Sequence, residues 1–288
     1  TAADILAQTP QGPANAPRGL AKAGPAGEVM TENPLNTAAD GVGHCQAQEL
    51  SNTAWACAAI TFSHVPLFDA ISSSSLRILS DFLPQHLANT AWSFAVCSFH
   101  HPPLLTSIAS AALSSNTEFD AQELANTAWS LARLMVCNPP LLDAISAEAR
   151  RKIRYFTTQE LSNTALAFST LEVLDVTLLQ AISSEAIPNI SEFAEQELSN
   201  TVWSFARLEV SDAPLMTSIA AAALRRISDF GAQGLSNTPW AYAKLLWHNW
   251  PLLTALSAAS RRSSHEFVPQ GLTNLAWSVA TLGCCDFP

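Results

Sequence analysis

Leu50, Thr53, Ala54, Cys57 and Ala58 fall at i, i+3, i+4, i+7 and i+8, the spacing of one apolar helical face. The pattern predicts a helix, here called A, over about Gln48–Phe62. It returns down the chain within variants of the run that reads QELANTAWSLA at Gln122–Ala132. The asparagine of that run stands at Asn52, Asn89, Asn126, Asn163, Asn200, Asn237 and Asn274, a constant interval of 37 residues. A register held that strictly is the signature of stacked repeats.

A second apolar run follows each helix A. It opens at Pro66, Pro103, Pro140, Pro214 and Pro251, with Thr177 at that position in the fourth copy. Proline is expected to stop helix A and to open a helix B at its first position. Helix B reads Pro-Leu-Leu-x-Ala-Ile-Ser, with Leu141, Leu142 and Ile145 or Leu252, Leu253 and Leu256 as its apolar face, and ends near Arg77, Arg150, Arg225 and Arg261. Pro84 and Pro269 mark the first turn of two A helices, and Asp120 is placed as an N-cap. A polar link carries Phe82, Phe119, Phe156, Phe193, Phe230 and Phe267, each expected to plug the gap before the next helix A. Leu166 stands where the other copies have Trp55, Trp92, Trp129, Trp203, Trp240 and Trp277. Pro239 falls inside a helix A, where it should kink or shorten the helix.

The expected fold is all-α: a solenoid of antiparallel helix pairs in a right-handed superhelix. Residues 45–288 hold six pairs and a seventh half repeat, which reads as a truncated array because a lone helix A exposes its apolar face. Residues 1–44 are rich in Ala, Pro, Gly, Thr and Asn without apolar periodicity, and are expected to be disordered.

Composition narrows the function. The apolar content, 48%, is spread evenly along the repeats, and no apolar run approaches a membrane span. The net charge of −10 argues against a strongly basic nucleic-acid binder and against attraction to anionic membranes. Six cysteines show no metal-ligand spacing, and Cys57, Cys97 and Cys284 stand where other copies carry Phe, Leu or Val, so they read as small buried hydrophobes. The seven histidines do not share one repeat position, and no nucleophile–base spacing or glycine-rich phosphate loop is present. No catalytic residue, cofactor or metal is implied. Glu49, Glu123, Glu160 and Glu197 share a first-turn position in helix A, where carboxylates suit the helix dipole.

Three sets of residues remain as candidates for binding. The asparagines form either a structural ladder, each amide satisfying the next copy, or a row of amides that meets RNA. The tryptophans read as packing between copies, with base stacking as the exposed alternative. The residue seven after each Asn varies: Ala59, Val96, Arg133, Thr170, Arg207, Lys244, Thr281. All twelve basic residues from Cys45 onward lie either at that position or near the end of helix B. Such cations complement helix C-termini, and a regular stack would also align them into stripes for a polyanion.

The Leu-x-Asn-Thr-x-Trp-x-x-Ala core resembles the octotricopeptide repeat and its relative the heptatricopeptide repeat, over residues 45–282. The resemblance implies a paired-helix solenoid that binds RNA in chloroplasts or mitochondria and acts on transcript stability, processing or translation. A single strand of about six nucleotides would then lie along the concave face, one base per repeat. Asn89, Asn126, Asn163, Asn200 and Asn237 would meet the phosphate backbone or base edges, variable residues of helix A such as Thr170 would read bases, and Arg133, Arg207 and Lys244 would meet phosphates. The alternative is a protein-interaction scaffold. Basic residues lining one groove favour RNA; cations neutralised by nearby Glu172 and Glu209 favour the scaffold.

Overall fold

The computed structural model of the protein describes residues 42–283. Among them are thirteen α-helices, short 3-10 turns and no strand. The A helices are α1 (Ala47–Ala59), α3 (Pro84–Val96), α5 (Ala121–Arg133), α7 (Thr158–Thr170), α9 (Glu195–Arg207), α11 (Ala232–Lys244) and α13 (Pro269–Thr281). The B helices are α2 (Val65–Arg77), α4 (Pro102–Ser115), α6 (Pro139–Lys152), α8 (Val176–Ala186), α10 (Ala213–Arg225) and α12 (Trp250–Arg262). The expectation of disorder over residues 1–44 lies outside the described residues except at its last three. Val42–His44 form a 3-10 turn with Val42 buried, and Arg77 donates to the Gly43 carbonyl at 2.8 Å.

The chain divides into two compact units between Glu148 and Ala149. In the first, α1 packs on α3 and α3 on α5; in the second, α7, α9, α11 and α13 pack in succession. Helices of the B row meet one another more lightly, as in α2 against α4 and α10 against α12. This is the packing of an α-solenoid: each copy buries its apolar surface against its neighbours rather than in one central core.

The middle of an interior A helix is therefore buried all round. In α5 the run Leu124–Ala132 is buried at every position, and α9 shows the same from Leu198 to Ala206. Small Ala and Ser residues between the large ones let the helices approach. In the B helices, Leu141, Leu142, Ile145, Leu252, Leu253 and Leu256 are buried as the spacing predicts. Among the link phenylalanines, Phe82, Phe119, Phe156, Phe193 and Phe230 are buried and Phe267 half-buried. Phe82 meets the His86 ring edge-on at 5.9 Å, on the first turn of the following helix A, as a plug at that place should.

The helix ends depart from expectation. Helix A does not run to Phe62, and proline does not stop it. It stops one residue beyond Ala59 in a turn whose next residue is left-handed: Thr61, Ser98, Met135, Glu172, Glu209 and Leu246 have φ between 52° and 58°, and Gly283 has 65°. The following N–H turns back on the helix, Phe62 to Cys57 at 2.8 Å and Val136 to Leu131 at 2.8 Å. That is the Schellman closure, made here by six side-chain-bearing residues instead of glycine. Proline acts four to five residues later and occupies the second position of helix B, not the first.

Helix B is opened by a cap row of one residue per copy. His64, His101, Asn138, Asp175, Asp212 and Asn249 each accept the backbone N–H three residues on, at 2.9–3.3 Å. His64 and His101 thus do share a repeat position, and their role there is structural. Helix A is opened from the other side. Glu49, Glu123, Glu160 and Glu197 accept the N–H of the residue before the helix at 2.8–2.9 Å. Asp120 and Thr157 return the bond, which completes the capping box. Pro239 does not shorten its helix: α11 has 13 residues, like the other A helices.

Candidate nucleic-acid interface

The A helices place each candidate by register. Asn89, Asn126, Asn200 and Asn237 are buried, at 4–7% exposure, and Asn163 is half-buried. The Nδ2 of Asn237 is buried with no acceptor. Thr170, at the variable position, is also buried, at 4%, and its hydroxyl has no partner. These residues lie within the stacked layer rather than on its surface.

The indoles are packing groups. Trp92, Trp129 and Trp203 are buried, and Trp203, Trp240 and Trp277 follow one another with ring centroids 6.2 and 6.3 Å apart. The Nε1 of Trp55, Trp92 and Trp129 has no partner, so these rings are held by apolar contact alone.

Arg207, Lys244 and Arg133 reach back to the left-handed residue of the preceding copy. Arg207 pairs with Glu172 at 2.5 Å and Lys244 with Glu209 at 2.7 Å, while Arg133 lies 3.5 Å from the Ser98 hydroxyl. Lys244 holds the Glu209 carboxyl below the ordinary range, by its hydrogen bond first and its charge second. Arg207 and Lys244 do line one open groove, with Trp240 and Trp277, but Glu172 and Glu209 line it too. The groove therefore offers matched charges rather than a cationic stripe.

The larger set of cations lies at the other end of the helices. Arg77, Arg150, Arg151, Lys152, Arg154, Arg225, Arg226, Arg261 and Arg262 stand at or just beyond the ends of α2, α6, α10 and α12. Arg226 donates to the Ser191 carbonyl of the preceding link at 3.0 Å, a neutral partner that leaves its charge uncompensated. Acids of the links and of the first turns of the A helices share this edge, among them Asp81, Asp229 and Glu266.

No cluster that could hold a metal occurs among the described residues, and no described helix is long and apolar enough to cross a membrane. Burial raises the Cys57 thiol, and burial followed by the neighbouring Cys57 raises Cys97 to about 11. Both stay protonated at neutral pH, in keeping with their reading as small hydrophobes.

One family model, the RNA-editing substrate-binding complex 6 protein, fits the chain in three overlapping placements, at residues 35–139, 107–224 and 140–286. The chain belongs to this family. Overlapping placements are what a recurring motif produces, since a shift by whole repeats restores the match. The protein is thus a helical-repeat member of an RNA-associated family; the match does not single out the octotricopeptide or heptatricopeptide type. No curated protein matches the chain.

The sequence reading passed over one residue of this edge. Tyr155 is 69% exposed beside Arg154, whose guanidinium carbon lies 5.5 Å from the ring centroid. The signal was present in the aligned links, where the other copies carry an acid at that position: Asp81, Glu118, Glu192, Asp229 and Glu266.

Proposed function

We propose that the protein is a non-catalytic helical-repeat module that binds single-stranded RNA within an RNA-processing assembly. The observation that carries this reading is the family membership, whose name describes the binding of an RNA-editing substrate. The distribution of charge supports it. Nine of the twelve cations of the array gather at the ends of the B helices, although the whole chain carries −10. Acids of the links stand among them, and a local run of cations such as Arg150–Arg154 can still hold phosphates on a protein of negative net charge, because screening confines each interaction to about 10 Å at 0.1 M salt. The likeness to octotricopeptide and heptatricopeptide repeats points the same way and adds an organelle setting, chloroplast or mitochondrion, for transcript stability, processing or translation.

Asn89, Asn126, Asn200 and Asn237 are buried, which supports putting the contact surface at the ends of the B helices in this reading. A second reading, a protein-interaction scaffold, is favoured by one observation: Arg207 and Lys244 are matched by Glu172 and Glu209. A groove of paired charges beside exposed Trp277 suits a protein surface better than a phosphate chain. Both surfaces can operate in one assembly.

The test is a titration of the full chain against labelled single-stranded RNA pools at two salt concentrations. Binding that weakens as salt rises is expected. Absence of binding at low salt, or binding indifferent to salt, would overturn the RNA reading. A partner captured after nuclease treatment would then favour the scaffold.

A further inference from the structure

Six links join a helix B to the next helix A, and five end in an acid followed by phenylalanine: Asp81-Phe82, Glu118-Phe119, Glu192-Phe193, Asp229-Phe230 and Glu266-Phe267. The third ends Tyr155-Phe156. The residue before the acid is Ser80, Thr117, Ser191, Ser228 or His265; in the third link it is Arg154. Arg150, Arg151 and Lys152 precede it. From Arg150 to Phe156 the chain therefore holds four cations, an extra aromatic ring and no acid, a composition no other link has.

The fold does not need that ring. Phe156 supplies the buried plug at 7% exposure, as its counterparts do, while Tyr155 is 69% exposed in the turn Ile153–Tyr155. A side chain so exposed adds little apolar burial. Arg154 lies over the ring, and Tyr155 remains 69% exposed with that cation in place. Arg150 and Arg151, in the last turn of α6, are also exposed. An exposed aromatic ring in a run of Arg and Lys is how proteins hold unpaired nucleotides: the base stacks on the ring and the cations meet the backbone. A duplex keeps its base faces covered, and a peptide has no comparable need for four cations within six residues of one another next to an exposed ring.

We infer that Arg150–Tyr155 is the anchor for single-stranded RNA, with a base stacked on Tyr155 and the adjoining phosphates held by Arg150, Arg151, Lys152 and Arg154. This rests on the RNA-binding reading above and gives it a site. Arg150, Arg151, Arg154 and Tyr155 are exposed and Lys152 is half-buried, and a thermal melt of each variant checks that the array stays folded.

The experiment measures fluorescence anisotropy of the full chain with labelled U-rich and A-rich single-stranded 12-mers. Tyr155→Ala should weaken binding about five-fold to about a hundred-fold, the range of one base–aromatic stack, without changing the salt slope. Tyr155→Glu, which restores the residue type of the other links, should weaken it at least as much. Tyr155→Phe should bind like the native chain. The fourfold change R150Q, R151Q, K152Q and R154Q should flatten the salt slope, by no more than about 3 at roughly 0.7 per phosphate contact. If the native chain binds RNA but the Tyr155 variants match it, this site is wrong and the broader function stands. If the native chain binds no RNA, the broader function falls and takes the site with it. Loss in Tyr155→Phe would replace stacking by a hydroxyl contact. Loss of a nuclease-resistant protein partner, with RNA binding intact, would make the patch a protein site and overturn the inference.

Discussion

The Nζ of Lys244 lies 2.7 Å from Oε1 of Glu209, and the pair spans two successive copies. Arg207 and Glu172 repeat the relationship one copy earlier. In each pair the cation stands near the end of a helix A, and the acid occupies the left-handed residue that ends the preceding one. The register thus delivers a donor and an acceptor to the same place in successive copies. All four side chains are more than a third exposed, so the pairs are well screened and add little stability.

Their effect on RNA separates the two surfaces. R207Q with K244Q should leave the salt slope of RNA binding unchanged, because the slope counts cations that meet phosphates and these already meet carboxylates. E172Q with E209Q should tighten binding, since it removes two negative charges and releases both cations. Anisotropy titrations over a series of salt concentrations check both outcomes. A fall in slope of about 1.4 on losing the two cations would instead make the groove a phosphate site.

Trp129 should be a mainstay of stability. Its side chain is 1% exposed, its Nε1 has no partner, and α5 is buried around it from Leu124 to Ala132. Trp129→Ala is expected to cost about 3–5 kcal/mol, the usual loss for a large buried ring, read as a lowered thermal midpoint. Trp277→Ala should cost far less, because that ring is 41% exposed on α13. Equal losses at the two positions would contradict the packing role assigned to the row.

The repeat, the two helices per copy and most of the buried residues were legible in the sequence, because apolar spacing and the Asn and Trp positions recur without slippage. The ends of helix A were not. Thr61, Ser98, Met135, Glu172, Glu209 and Leu246 have no shared chemistry, and only Gly283 names the left-handed turn they all adopt. The nearby prolines, by contrast, are explicit in the sequence and recur in one register. The cap row was readable, since His64, His101, Asn138, Asp175, Asp212 and Asn249 are all acceptors, but histidine reads first as chemistry. The candidate site was the least legible part. The asparagines are identical in every copy and four of them are buried, while Tyr155 stands out only when the links are aligned with one another.

His86 should make stability depend on pH. It takes the place of the capping glutamates in α3, and its Nδ1 accepts the Leu83 N–H at 3.2 Å. Burial lowers its pKa below the ordinary 6.5. The folded state therefore favours the neutral ring, and the unfolded state binds the proton more readily. This contribution is complete above about pH 6.5 and is lost as pH falls through the lower, folded value. The thermal midpoint should drop across that window. His86→Glu, the residue of Glu49, Glu123, Glu160 and Glu197, should remove that part of the dependence, since its carboxyl titrates in a more acidic range. His86→Ala should cost about 0.5–1 kcal/mol at neutral pH from loss of the cap. A midpoint equally pH-dependent in the native chain and in His86→Glu would assign the effect to other groups.

Met135 offers the clearest test of the turn that ends helix A. Its φ is 54°, its side chain is 69% exposed, and the next residue's N–H closes the turn on Leu131 at 2.8 Å. A left-handed conformation costs a residue with a Cβ roughly 1–2 kcal/mol, and glycine escapes that cost but loses about 0.5–1 kcal/mol through its freer unfolded chain. With little side-chain burial to forfeit, Met135→Gly should stabilise the array by up to about 1 kcal/mol, as a raised thermal midpoint. Gly283 already occupies the equivalent position at φ 65°. Met135→Val should do the opposite, because a β-branched residue tolerates positive φ worst. If Met135→Gly lowers the midpoint while Met135→Val leaves it unchanged, the turn is not under the strain its geometry implies, and helix A is ended by the packing of its neighbours alone.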